Sequence, residues 1–400
     1  MGAGASSFCW GAGVDKLLTR GYPAPTDRSV GSCWQLRLLG WGAISAMRIL
    51  RYTGRRFLIA VPQMLFISLV TFILIRMLPG DPARLELGPL SSQEAVDRRR
   101  SQLRLDESIP VQYFAYIRRV LSGDFGTSWV NGSQVRDDLA RRVPATLELI
   151  SIGLLVVIVV FIPFAIATSI RGGGIAVRVL KKIAYGYGMI AGALPDFWMG
   201  LLLIYVFFVR LGISPGPTGR INIGEKPPTT ITGFYTVDGI LTGNFSVAWS
   251  ALSHLILPVI TLAFVYGAPI FKMTQSKMIA ALRSDYTYYA EALGLPRRKI
   301  MGYAFRNAAP SVIVISGVIS GYLLGGAVLI ESVFNLNGVG QYVIQAVTTS
   351  DYGPIQAFVL IAAVFTMLVY LAVDLFYFLS DPRAEVGGSV LSIEEASDGN

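Results

Sequence analysis

Covalent chemistry needs a nucleophile, a proton carrier or a set of metal ligands, and this 400-residue chain is poor in all three. Its single histidine, His254, removes most acid–base and metal enzymes, which need two or three. Cys9 and Cys33 are the only cysteines, and without metal-like spacing they build neither a zinc site nor a disulfide framework. No Gly-x-x-x-x-Gly-Lys-Ser/Thr occurs and no glycine precedes a lysine, so no loop of that type can cradle a triphosphate. His-Glu-x-x-His, Gly-x-Ser-Gly and Gly-x-Gly-Asp are missing too, which leaves intramembrane proteolysis without a catalytic group. The chain reads as no enzyme, with no catalytic, metal or cofactor-binding residue. What remains is Asp196, which follows Pro195 in the middle of a long apolar run, where a carboxylate is a functional candidate by default.

The elements that hold these residues are set by hydropathy. The chain is 53% hydrophobic and 15% charged, where soluble proteins run nearer 25% charged. Six apolar stretches, residues 57–78, 147–170, 183–209, 249–271, 310–330 and 354–378, hold only four charges: Arg76, Glu148, Asp196 and Asp374. Each is long enough to cross about 30 Å of hydrocarbon, and a backbone there must satisfy its own polar groups, so each is predicted to be a helix. The fold class is all-α, a polytopic membrane protein of six spans. Pro258 and Pro269 should kink or shorten the fourth. Arg76, Glu148 and Asp374 sit near span ends and read as interfacial anchors; His254 reads as a packed or interfacial histidine.

Lys and Arg in the short loops after the first number 4, 3, 7 and 0 in order, which puts the second and fourth loops, and both termini, in the cytoplasm. The net charge of +9 is thus topological, and nucleic acid is not an expected partner. The long segment 79–146 falls outside as a small helical cap. Residues 1–46 read as a disordered leader and 384–400 as an acidic tail; Met47, followed by basic residues and then the first span, is an expected alternative start.

The fourth loop, 272–309, is too polar to span, yet Met278, Ile279, Leu282, Tyr286, Tyr289 and Leu293 recur near helical spacing before Gly294-Leu-Pro ends the helix. A cytoplasmic helix–turn–helix is expected. Tyr286-Thr-Tyr-Tyr-Ala-Glu-Ala-Leu-Gly-Leu, followed by Phe305-Arg-Asn-Ala-Ala-Pro, resembles the EAA loop of binding-protein-dependent ABC importer permeases of the peptide and nickel branch. Further segments are similar in order: Leu78-Pro-Gly-Asp-Pro-Ala, Gly123-Asp-Phe-Gly-Thr-Ser, Arg142-Val-Pro-Ala-Thr-Leu-Glu-Leu, Leu194-Pro-Asp-Phe-Trp-Met-Gly, Leu324-Gly-Gly-Ala-Val-Leu-Ile-Glu-Ser-Val-Phe, Asn337-Gly-Val-Gly, Ser350-Asp-Tyr, and Val373-Asp-Leu-Phe-Tyr through Asp381-Pro-Arg. The resemblance covers about residues 48–383.

The resemblance implies a permease of type I ABC importer architecture in a bacterial plasma membrane, importing peptides or similar small solutes. Implied partners are a second homologous permease, two ATPase subunits that carry ATP and Mg, an extracytoplasmic substrate-binding protein and membrane lipid. It assigns coupling to the ATPase to Asp285, Tyr286, Tyr289, Ala290, Glu291, Ala292 and Gly294, although Tyr288 and Tyr289 stand where the loop's namesake motif has Glu and Ala. Pathway and gate candidates are Asp196, Ser316, Gly317, Ser320, Gly321 and Gly325. Spaced four apart, Gly317, Gly321 and Gly325 either pack within the chain or meet the second subunit or the gate. Ser316 and Ser320 either offer hydroxyls to substrate or bond back to their own helix. Asp196 replaces the small hydroxylated residue usual in the family; it either recognises a substrate amine or pairs structurally with Arg76 or a freed carbonyl. A stand-alone channel or ion-driven carrier is the alternative, but neither inverted repeats nor several intramembrane ionisable groups are evident.

Overall fold

A computed structural model describes residues 53–380 except 55, 78–80, 89, 103, 171 and 173; the expected leader, the alternative start at Met47 and the acidic tail lie outside the described residues. The chain divides between residues 56 and 57, after the first residue of α1, and the architecture below belongs to the larger unit, Phe57–Asn400. Its helices are α1 Arg56–Met77, α2 Pro82–Leu87, α3 Gln93–Gln102, α4 Ile109–Leu121, α5 Val135–Ser169, α6 Ile175–Ile190, α7 Asp196–Leu203, α8 Tyr235–Leu241, α9 Phe245–Leu282, α10 Asp285–Ala292, α11 Arg297–Phe334, α12 Val339–Thr348 and α13 Tyr352–Ser380. Among the described residues, β-structure amounts to one isolated bridge, Thr127 to Gln134.

Local chemistry explains where helices start and stop. Asp81 accepts from the Ala83 N–H at 3.0 Å, with Pro82 at the first helical position where its missing N–H is harmless. Asn244 caps α9 by accepting from the Val247 N–H at 3.3 Å, and α11 ends on Asn335 in the left-handed conformation (φ 55°).

Five helices, α1, α5, α9, α11 and α13, are long and apolar enough to cross a membrane. The apolar stretch 183–209 is not one helix. It is α6 and α7 separated by a turn at Ala191–Pro195, because Pro195 (ψ 139°) lacks a backbone donor and disfavours helical geometry in the residue before it. After Leu203, residues Ile204–Arg210 continue with π-helical geometry. Pro258 and Pro269, in contrast, do not shorten α9, which runs for 38 residues. Packing overrides them: Leu255, Leu257, Val259, Leu262 and Ile270 are buried against neighbouring helices on both sides of the prolines.

The core is the seam between α5, α9 and α11, where Leu149, Leu262, Leu323 and Ile330 are fully buried. Gly267 lets Phe161 press against α9; a Cβ there would come within 2.6 Å of the ring. Within lipid such close contact supplies stability through dispersion rather than through escape from water. The peripheral helices α1 and α13 leave most of their apolar surface open. At 1.5 Å per residue, the 38-residue α9 and α11 are each about 57 Å long, well beyond a hydrocarbon core of about 30 Å. Their surplus length builds the site described next.

Candidate functional site

Two helices that overshoot the bilayer leave little loop between them. The predicted loop 272–309 is therefore mostly the last turns of α9 and the first turns of α11, joined by the eight-residue α10. Met278 and Ala281 of α9 pack with Ala304 and Ala308 of α11, and Met301 and Phe305 close the sides. Alanines at these positions let the helices approach closely. Thr287 is buried and donates its hydroxyl to the Ala281 carbonyl at 2.8 Å, tying α10 to the end of α9. The C-terminus of α10 is a Schellman turn: Leu295 N–H donates to Ala290 O at 3.1 Å, Gly294 N–H to Glu291 O at 2.9 Å, and Gly294 sits at φ 73°. Pro296 then opens α11.

The turn leaves a knob. Asp285, Tyr286, Tyr289, Glu291, Ala292 and Gly294 are exposed, and Ala290 is half-buried. Tyr288 and Leu293 are exposed as well, so this short helix presents three tyrosines and a leucine to its surroundings. A Cβ on Gly294 would touch nothing, so only backbone conformation requires glycine there.

The pathway candidates are not brought together on one surface. Ser316 and Ser320 both bond back along α11, to Val312 O and Ser316 O at 2.7 Å each. The glycine stripe also divides. Gly317 is pressed against Val373 of α13 inside this chain, Gly321 makes ordinary contact with Tyr370 and Thr366, and Gly325 is exposed and touches nothing. An approach as tight as that at Gly317 occurs at Gly326, where a Cβ would fall 2.3 Å from the Tyr266 hydroxyl. Asp196, the first residue of α7, accepts from that same Tyr266 hydroxyl at 2.9 Å and from Phe197 N–H at 2.7 Å. Its partner is Tyr266 rather than Arg76, which stacks over the Phe72 ring at 5.1 Å. His254 is packed, with Nδ1 2.8 Å from Ser250 O.

Polar centres at the other end of the long helices were not legible beforehand. Glu148, read above as an interfacial anchor, is instead fully buried. Arg220 donates to it at 2.6 Å, and it accepts from the Thr236 hydroxyl at 2.5 Å, from Thr236 N–H at 2.9 Å and from Tyr235 N–H at 3.3 Å. Those N–H groups are the first turn of α8, so a carboxylate on a spanning helix caps a short helix from the loop after α7. Arg220 also lies over the Tyr235 ring at 3.5 Å and donates to Gly233 O at 3.0 Å.

Glu331 repeats the device. It is fully buried, accepts from the Thr146 hydroxyl at 2.5 Å and takes the Gln341 N–H at 3.1 Å, in the first turn of α12. Thr146 in turn accepts from Val339 N–H at 2.9 Å. Gly338 and Gly340 are required there, since a Cβ on either would collide with the Glu331 carboxylate. Asp351 accepts from the Ser128 hydroxyl at 2.5 Å, and Trp129 meets Tyr352 edge-on. Within α8, burial pushes Asp238 up. The Thr232 hydroxyl and the N–H groups of Thr232, Ile231 and Gly233 outweigh it and hold the carboxyl below the ordinary aspartate range. The available signal was a carboxylate at each end of an apolar stretch, Glu148 and Glu331; nothing in the loop marked Arg220 as a partner.

Residues 169–386 match the model for the binding-protein-dependent transport system inner membrane component, and residues 49–150 match that for the N-terminal part of such membrane components. The chain belongs to this family. Curated relatives agree with that assignment along most of their length. A probable D,D-dipeptide transport system permease protein, DdpB of Escherichia coli, is 38% identical over 80% of this chain and 94% of its own. A dipeptide transport system permease protein, DppB of Alkalihalophilus pseudofirmus, is 33% identical over 84% and 99%, and a di/tripeptide transport system permease protein, DppB of Pseudomonas aeruginosa, 34% identical over 84% and 98%. As an inner membrane component of a binding-protein-dependent system, the chain is a multi-pass transport subunit and not the catalytic one. Membership also gives the motifs of the sequence a physical meaning. Thr146-Leu-Glu148, Ile330-Glu331-Ser and Asn337-Gly-Val-Gly340 are the parts of the two buried carboxylate caps.

Proposed function

We propose that this permease forms half of the pathway of an ATP-driven importer for peptides or similar small solutes, beside a second homologous permease. Both termini face the cytoplasm. The α10 knob seats in a groove of one of the two ATPase subunits, which bind ATP and Mg, and an extracytoplasmic binding protein delivers substrate near residues 79–146 and the loops that carry α8 and α12. The peptide reading rests on the relatives, whose names specify dipeptides and di/tripeptides.

The observation that carries the mechanism is the build of α10. An exposed aromatic face is held on a rigid hairpin whose two arms continue without interruption as the core helices α9 and α11. A push on α10 is thus delivered to the spans as rigid-body motion, the shear or hinge movement by which such transitions propagate. Coupling to the ATPases involves Asp285, Tyr286, Tyr289, Ala290, Glu291, Ala292 and Gly294. Asp196, with Tyr266 behind it, lines the pathway at the break between α6 and α7, and Ser316, Gly317, Ser320, Gly321 and Gly325 of α11 contribute separately to the gate.

The test is reconstitution of the assembled complex in proteoliposomes. Dipeptide uptake should require both ATP and the binding protein. Glu291→Arg should cut uptake at least about tenfold, the size of one lost charge-assisted contact, with the subunit still inserted. Uptake by the isolated chain without nucleotide would overturn the assignment.

A further inference from the structure

One cavity has no part in that scheme. Between the end of α1 and α4 lies a cleft of about 500 Å³ lined by Arg76, Arg104, Arg118 and Arg119, with no carboxylate among the described residues of its walls. Arg104 reaches Glu107 at 3.8 Å, but Arg76, Arg118 and Arg119 form no ion pair among the described residues. Gathering guanidinium groups without a counter-charge is unfavourable, and more so beside hydrocarbon than in water.

A second, independent feature lies in the same walls. Gln112 is 8% exposed, and its amide nitrogen donates to Leu105 O at 3.1 Å and Glu107 O at 2.8 Å, which fixes the orientation of the group. Its Oε1 is buried without a partner among the described residues. A buried acceptor left unpaired costs free energy that a donor on a ligand would recover. The cleft therefore lacks an anion and a hydrogen-bond donor together.

Its surroundings say where such a ligand comes from. Arg76 is the penultimate residue of a membrane-crossing helix, and Leu74 and Met77 beside it are exposed. Val111 and Phe114 on α4 are exposed next to the cleft as well. Cationic groups directly above bare apolar side chains match a molecule with a charged head and hydrocarbon tails.

We infer that this cleft binds a phospholipid whose headgroup carries an N–H or O–H donor. The phosphate sits among Arg76, Arg118 and Arg119, the headgroup ammonium or hydroxyl donates to Gln112 Oε1, and the acyl chains lie along α1. Phosphatidylethanolamine and phosphatidylglycerol have both features; phosphatidylcholine has the phosphate and no donor.

Native mass spectrometry of the full chain in detergent, supplemented with equal phosphatidylethanolamine and phosphatidylcholine, tests this directly. Phosphatidylethanolamine should be retained about tenfold over phosphatidylcholine, as expected for one recovered buried hydrogen bond, and Gln112→Leu should erase the preference. Arg118→Gln with Arg119→Gln, both at exposed positions, should lower retention of both lipids about tenfold with an unchanged thermal midpoint. Equal retention of the two lipids by the unaltered protein would overturn the assignment, as would full retention by the arginine variant. Soluble glycerophosphoethanolamine should compete poorly; competition equal to that of the intact lipid would reassign the cleft to a free phosphodiester and sink the lipid reading.

Discussion

Glu148 shows what one misplaced charge does to a reading of spans. Near a span end a carboxylate ordinarily reaches back to water, yet here Arg220 meets it in the interior, both of them nearly inaccessible. Neutralising one partner strands the other: Glu148→Gln should cost about 3–5 kcal/mol and lower the unfolding midpoint in detergent. Glu148→Gln combined with Arg220→Met should recover part of that loss, and a fully additive double variant would argue against the pair. Asp238 makes a prediction about acid. Its folded carboxyl ionises more readily than in the unfolded chain, so its stabilising contribution is complete above the ordinary aspartate value of about 3.9 and is lost as pH falls through the lower folded value. Hydrogen exchange of residues 231–242 should stay constant from neutrality to about pH 5, then lose protection below about pH 4; in Asp238→Asn that step should vanish.

At the scale of elements, helix length and backbone conformation decide what the segment 272–309 is. Helical structure in 272–309 and the stop at Gly294 were legible, because a glycine two residues before a proline has a physical reason to end a helix. The break at Arg283–Ser284, which separates α10 from α9 within the expected run from Met278 to Leu293, was not, and neither was the unbroken continuity of α9 and α11 with the spans, since the polarity of Lys272–Lys277 masks a helix that is still packed through Met278 and Ala281. Gly294→Ala should cost about 1 kcal/mol through its left-handed φ alone, because the added methyl touches nothing. Uptake by the assembled complex should fall more than insertion or thermal stability does, as measured by transport against melting of the same preparation. The broken helix at Ala191–Pro195 makes the complementary point. Pro195 was visible, but so were Pro258 and Pro269, and only the density of packing around each separates a break from a tolerated proline.

For the whole molecule, the neighbouring glycines of α11 point opposite ways. Gly326 is locked by Tyr266 within the chain, whereas Gly325 opens outward beside exposed Tyr322 and Leu329. Gly326→Ala should therefore destabilise the isolated subunit, by about 1–3 kcal/mol for an overpacked site. Gly325→Leu should leave its melting unchanged and, where that face meets the second permease, reduce co-purification of the pair. Unimpaired pairing in Gly325→Leu would move the subunit interface elsewhere, to α1 or α13, both largely uncovered.

Sequence alone determined that this is an all-helical membrane protein with a cytoplasmic hairpin expected between its core spans, because the cost of charge in hydrocarbon writes itself directly into hydropathy and residue counts. It also determined the resemblance, motif by motif. Tertiary structure decided which polar groups inside the spans have partners. Glu148 with Arg220, Glu331 with Thr146, and Asp196 with Tyr266 are separated by 72, 185 and 70 residues, and no local pattern encodes a contact of that reach. Packing chooses such partners, since a buried carboxylate is stable only where the folded chain happens to place donors around it.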